Sequence, residues 1–241
     1  FRGVAEDWMR MMNRGVFKAA VANSDTHGLY HAEAGMPRNF VAYGSDIPRH
    51  VRPDDLDQAV RERRVVGSSG PFIRFTVNDE GVGGTVMSPP EGRVTLKIEV
   101  QSPTWFDVDR VQVFRNGELL KSFDACTEEG GECIEQPNIK VMNLNVSFDD
   151  EPGRDAWYAV SAAGLRGRHL APVYSSLPLA RLGFNETFAG LTGILGLEGG
   201  PARGPSVHPM MPWAMTNAIQ VDLAGDGFDP PEGAPPDWAQ R

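Results

Sequence analysis

Residues 17–28, FKAAVANSDTHG, decide how the rest of the chain is read. Phe17 to Ala22 is an apolar run of strand length that passes directly into Asn23-Ser24-Asp25-Thr26-His27-Gly28. Such a run, bounded by turn residues, reads as a buried strand. Upstream, Val4, Trp8, Met11 and Met12 recur at helical spacing, and Gly15 follows as a C-cap. Downstream, Pro53 opens a second helix, with Asp54, Asp55 and Asp57 early and Arg61, Arg63 and Arg64 late. That order complements the helix dipole. Leu56, Ala59 and Val60 give this helix a core face, and a short strand, Val65-Val66-Gly67, follows it. Helix, strand, long loop, helix, strand predicts the terminal βα units of a parallel α/β barrel over residues 1–71.

From Pro71 the hydrophobic period changes from helical to two. Ile73, Phe75 and Val77 alternate with Phe72, Arg74 and Thr76, and the pattern returns at 94–100, 111–114 and 157–162. Asn116-Gly117, between Val111–Phe114 and Leu119-Leu120, is a type I′ hairpin signal. Residues 72–180 therefore predict an antiparallel β-sandwich. Residues 181–241, rich in Gly and Pro with little period, read as an extended C-terminal tail packing over the rest.

The chain has 241 residues, 41% hydrophobic and 23% charged, the composition of a globular protein. Its formal net charge of -9 argues against a nucleic-acid partner, because a phosphate backbone would be repelled. No apolar run approaches the roughly 20 residues of a membrane-spanning helix. The chain opens at Phe1 inside a helical pattern with no cap before it, which leads us to expect an upstream segment of the same parent protein. A homo-oligomer is left open.

Asp25 and His27 carry the chemical signal. They follow a strand, so in a barrel they would sit at the C-terminal mouth where active sites are built. In an extended D-x-H the carboxylate and the imidazole point to one side, as two ligands of one metal must. A solvated turn is the ordinary alternative. His31 and Arg38 lie in the loop that follows, and Arg38 has the planar fork that clamps an anionic group. Plain loop roles remain the alternative for both. His50, His169 and His208 form no second paired motif.

Two further motifs have plainer readings. Asp222-Leu223-Ala224-Gly225-Asp226-Gly227 has the outline of a calcium loop, but Ala224 stands at a ligand position, so it reads as a turn. Ser68-Ser69-Gly70 lacks the G-x-S-x-G frame of a nucleophile elbow and reads as tight backbone. The only two cysteines, Cys126 and Cys133, enclose a polar glycine-containing stretch. Their spacing suits a hairpin disulfide that would stabilise by roughly 2–3 kcal/mol on the chain-entropy model. It would also indicate an oxidising, extracellular or periplasmic setting. Two free thiols are the alternative.

The run through Trp8, NRG (13–15), VANSDTHG (21–28), AGMPRNFV (34–41), the acidic helix start and VVGSSGPFI (65–73) resembles the PHP superfamily of metallohydrolases. It looks most like the exported CehA/McbA-type branch. SPTW (102–105), DAWYAVSA (155–162) and TNAIQVD (216–222) extend the resemblance over nearly the whole chain. The resemblance implies that Ser24, Asp25 and His27 form the last metal-binding motif, with divalent zinc, manganese or iron as cofactor. It implies hydrolysis of phosphoester or ester bonds by metal-activated water. It also implies that further ligands, beginning with an H-x-H motif, come from the upstream segment. The competing expectation is a non-catalytic structural or surface-interaction protein carrying a degenerate barrel remnant.

Overall fold

The period-two stretches build two sheets that pack face to face. The computed structural model describes residues 3–24, 35–102, 108–125, 133–134, 143–164, 171–174, 207–210 and 212–233. In chain order the elements are α1 (Val4–Asn13), β1 (Arg38–Val41), α2 (Pro53–Arg61), β2 (Val65–Ser68), β3 (Phe72–Val77), β4 (Glu80–Gly81), β5 (Thr85–Met87) and β6 (Val94–Gln101). They continue with β7 (Arg110–Arg115), β8 (Glu118–Ala125), β9 (Cys133–Ile134), β10 (Asn143–Asp150) and β11 (Ala156–Ala163). The last are β12 (Ala171–Tyr174), β13 (Val207–Met210), β14 (Trp213–Thr216) and β15 (Ile219–Asp222).

The larger sheet runs β1-β2-β14-β11-β7-β8-β9, with β15 beside β11 and β5 beside β15. The smaller runs β10-β6-β3-β4, and β12 with β13 form a separate ribbon. Alternation sets the core: Ile73, Phe75 and Val77 of β3 and Val94, Leu96, Ile98 and Val100 of β6 are all buried. They meet Val111 and Val113 of β7 and Tyr158 and Val160 of β11 across the sandwich. Burying each such side chain contributes about 1.5–3 kcal/mol. β7 and β8 join at Asn116-Gly117, with φ of 52° and 82°, the two positive values a type I′ turn requires.

Strand β11 is buried on both faces over all eight residues. One face meets the smaller sheet. The other carries Trp157 and Ala159 against Met9 and Met12 of α1 and against Ala218. Trp157 Nε1 donates to Asn13 Oδ1 at 2.8 Å, so the one polar atom of the buried indole has its acceptor. Along one edge β11 pairs with β7, and along the other with β14 at its end and β15 at its start.

The barrel reading of residues 1–71 is overturned. Among the described residues there are two short α-helices, no closed barrel, and mostly antiparallel pairing. β1 pairs antiparallel with β2, and β2 antiparallel with β14, so this region extends the sandwich sheet. Helix-strand alternation carries no information about which distant strand completes a ladder, and here the partner of β2 lies near residue 215. Residues 17–22 are not a ladder strand. Of the expected core face of α2, Ala59 is buried while Leu56 is exposed. The extended tail is corrected as well, since β14 and β15 sit within the sheet, and β15 pairs in parallel with β5.

A polar clasp links the two sheets. Tyr158 Oη on β11 donates to Asp150 Oδ2 of β10 at 2.6 Å. Arg115 Nη1 on β7 donates to both Asp150 oxygens at 3.0 and 2.9 Å. Burial first, then the hydrogen bond to the Asp150 carboxylate, pushes the Tyr158 hydroxyl well above the ordinary phenol range. The folded state therefore keeps a proton that the unfolded state releases above about pH 10, and this part of the stability is lost as pH climbs past that value. We expect Tyr158→Phe to cost about 1–2 kcal/mol near neutrality, measured by urea unfolding. The gap between the two proteins should narrow above pH 10; a gap independent of pH would refute the linkage.

Candidate functional site

Residues 16–24 cross the outer face of the larger sheet as an extended segment, fixed at its start by aromatic contacts. Phe17 meets Phe228 edge-on at 5.2 Å between ring centroids. The Arg63 guanidinium lies over the same ring at 5.4 Å. Arg63 Nη2 also donates to Gly83 O and to Gln220 Oε1, and burial draws its pKa below the ordinary guanidinium value.

Two asparagine side chains hold the rest of the segment. Asn217, 1% exposed, accepts the Ala20 N–H at 2.7 Å and donates from Nδ2 to Ala20 O and to Val65 O, both at 2.9 Å. Asn39 of β1 accepts the Ala22 N–H at 2.7 Å and donates to Ala22 O and Asn23 Oδ1, both at 3.0 Å. Each primary amide offers a donor and an acceptor side by side, so it pairs with a backbone residue as a neighbouring strand would. The segment thus keeps strand geometry without a ladder.

On the other edge, the backbone groups of Ala19 and Val21 bond to no group among the described residues. Beside them an apolar groove of about 710 Å³ runs between the segment and α1, lined by Val4, Trp8, Met11, Val21, Trp213 and Met215. Val4 and Val21 are 87% and 49% exposed. Trp8 Nε1 donates to Lys18 O at 3.0 Å across it.

The sequence-derived site residues divide sharply. Asp25, His27 and His31 lie outside the described residues, directly after Ser24. Arg38 is exposed on β1, its guanidinium 5.5 Å from the Phe40 ring and its Nη1 donating to Gly35 O. Cys126 also lies outside the described residues, as does the side chain of Cys133. β9, which carries Cys133, pairs in parallel with β8. Among the described residues no three His, Cys, Asp or Glu side chains converge, and these residues alone do not fit a metal ion.

The two set-aside motifs have structural jobs. Asp222 accepts the N–H groups of Gly225 and Gly227, while Asp155 accepts those of Leu223 and Asp229, so both carboxylates are spent on the turn. Ser68 and Ser69 are fully buried and bond to backbone at Pro71 and Trp213. Sequence reasoning missed Asn39 and Asn217, because an isolated Asn looks like any loop residue until its backbone partners are known.

Gly67 of β2 lets the segment lie this close. A Cβ there would stand 2.8 Å from Ala22 Cβ and 3.8 Å from the Trp213 ring. Gly67→Ala should cost about 1–3 kcal/mol by overpacking, read by urea unfolding, and Ala22→Gly in the same chain should recover much of it. An additive double variant would show that the close approach is not the cause. Comparison of the chain with family models, with curated proteins and with solved structures finds no match.

Proposed function

We propose that this chain is the sandwich-bearing portion of an exported metal-dependent hydrolase of phosphoester or ester bonds, completed by an upstream segment of its parent protein. One observation carries the reading: Asn217 and Asn39 pair with both backbone groups of Ala20 and Ala22, those of Ala19 and Val21 bond to no group among the described residues, and Asp25 and His27 follow Ser24 in sequence. A free edge beside an apolar groove suits an added extended strand, which gains main-chain hydrogen bonds and sets alternate side chains in the groove. An upstream strand seated there would bring its own side chains close to the point where the chain leaves Ser24. Asp25 and His27 supply two side chains, whereas a catalytic zinc site typically uses three from protein. The resemblance of VANSDTHG and VVGSSGPFI to the PHP superfamily supports the same assignment.

The second reading, a non-catalytic interaction protein, draws on the same groove, which would then receive a strand from a different protein. The assay separates the two. Residues 1–241 alone, loaded with manganese, zinc or iron, should show no turnover of aryl phosphates or aryl esters. The parent protein should show chelator-sensitive turnover that falls to near background in Asp25→Ala. Robust turnover by residues 1–241 alone would overturn the requirement for an upstream segment. Parent activity indifferent to Asp25, or none with any of these metals, would overturn the hydrolase reading in favour of the second.

A further inference from the structure

Residues 223–233 leave the end of β15 and cross to the C-terminal end of α1. Their base is firmly held. Asp155 accepts the N–H groups of Leu223 and Asp229 at 2.9 and 2.7 Å, and Asp222 accepts those of Gly225 and Gly227 at 2.6 and 2.8 Å. Both carboxylates are buried, and hydrogen bonds to a charged acceptor are the stronger kind. In the middle, Phe228 stands edge-on to Phe17 and packs on the cluster of Met9, Met12 and Trp157 beneath α1. The tip is held differently. The Glu232 N–H donates to Asn13 O at 2.8 Å, Asn13 Nδ2 reaches Glu232 Oε1 at 3.4 Å, and Arg14 Nε reaches Glu232 Oε2 at 3.5 Å. Arg14 and Glu232 are 60% and 47% exposed, so water and salt screen their attraction. Between base and tip the chain borders an open cleft of about 730 Å³, lined by Arg154, Asp226 and Asp229 together with Pro230 and Pro231.

These contacts fall at one place, the turn where α1 ends and the extended segment begins. Asn13 and Arg14 close the helix, and Phe17 starts the segment; helix and segment are two walls of the apolar groove. We propose that residues 223–233 are a strap that clamps this turn and so sets how far the groove between α1 and the segment opens. The arrangement is a clip, with a fixed base, an aromatic bearing on one wall and a light catch on the other. The catch lets go first. An exposed ion pair at a helix end costs little to break, whereas freeing the base would leave two buried carboxylates unpaired. Release reaches beyond the last turn of α1. Asn13 also accepts the Trp157 indole N–H and donates to Asn116 O, so the catch and the anchor of the helix share one side chain. The strap acts on the groove whatever the groove receives, and it does not depend on hydrolysis.

The experiment compares residues 1–241 carrying Glu232→Ala or Glu232→Pro with the unsubstituted chain. Glu232→Ala removes the side-chain catch, and Glu232→Pro also removes the N–H given to Asn13. The amides of Arg14, Gly15 and Val16 close the last turn of α1. Their hydrogen exchange should quicken about threefold in Glu232→Ala and about tenfold or more in Glu232→Pro. Val113 and Val160, in the sandwich core, should exchange as before. The methyl resonances of Met11 on α1 and Met215 on β14, which line the groove, should shift in the same order. That of Met87, exposed on β5, should stay in place. Unchanged exchange at residues 14–16 in Glu232→Pro would overturn the clamp. A uniform quickening that includes Val113 and Val160 would overturn it too, because it marks general destabilisation. If the amides respond while Met11 and Met215 do not, the strap holds the helix end without setting the groove, and the proposal fails. Should Glu232→Pro not fold, Phe228→Leu combined with Glu232→Ala carries the same comparison.

Discussion

Trp157 is the side chain on which the arrangement of the rest depends. It is the largest fully buried side chain among the described residues, and it lies where β11, α1 and the Asn116-Gly117 turn meet. Its indole N–H is taken by Asn13, whose own amide donates to Asn116 O, and Asn116 Oδ1 accepts the Trp157 backbone N–H. A bulky ring under a helix is favourable only if its polar atom is satisfied, and here that atom belongs to a closed set of bonds. The set fixes α1 over the outer face of the sheet. With α1 fixed, one wall of the groove is fixed too, and so is the line along which residues 16–24 run.

The sandwich was readable because each strand states its own case. Period-two alternation in β3 and β6 and the Asn-Gly pair between β7 and β8 are local signals, written within a few residues of where they act. The outer part of the sheet is different. β2 needs β14, and β11 needs both β14 and β15, so the pairings that turn 1–71 into a sheet extension are written some 150 residues away. Residues 17–22 show the same limit at smaller scale. Their apolar composition reads as a buried strand, but of the six only Ala22 is buried and none joins a ladder, and hydrogen-bond partners drawn from Asn39 and Asn217 leave no mark on periodicity.

The candidate site divides along the same line. The D-x-H pair stands out in sequence because the chemistry proposed for it lies in residue types at fixed spacing. What the described residues place ahead of it in the chain is geometry: a glycine that admits close approach and two amides that pair with backbone. None of these has a spacing rule. Asn217 sits inside TNAIQVD and Asn39 inside AGMPRNFV, both quoted above for their resemblance, yet their work is apparent only once Ala20 and Ala22 lie beside them.

The insertion of β14 and β15 beside β2 and β11 has a consequence for how the chain is made. During synthesis β2, β7 and β11 emerge well before the two strands that complete their sheet. Until then β2 and β11 each present an apolar strand with an open edge, the state most prone to pairing with another chain. Closure waits for Trp213–Asp222, among the last described elements to appear. A ribosome pausing before that point would hold out a sheet with a gap in its middle. The time taken to translate that one stretch sets how long the two open edges of the nascent sheet stay exposed.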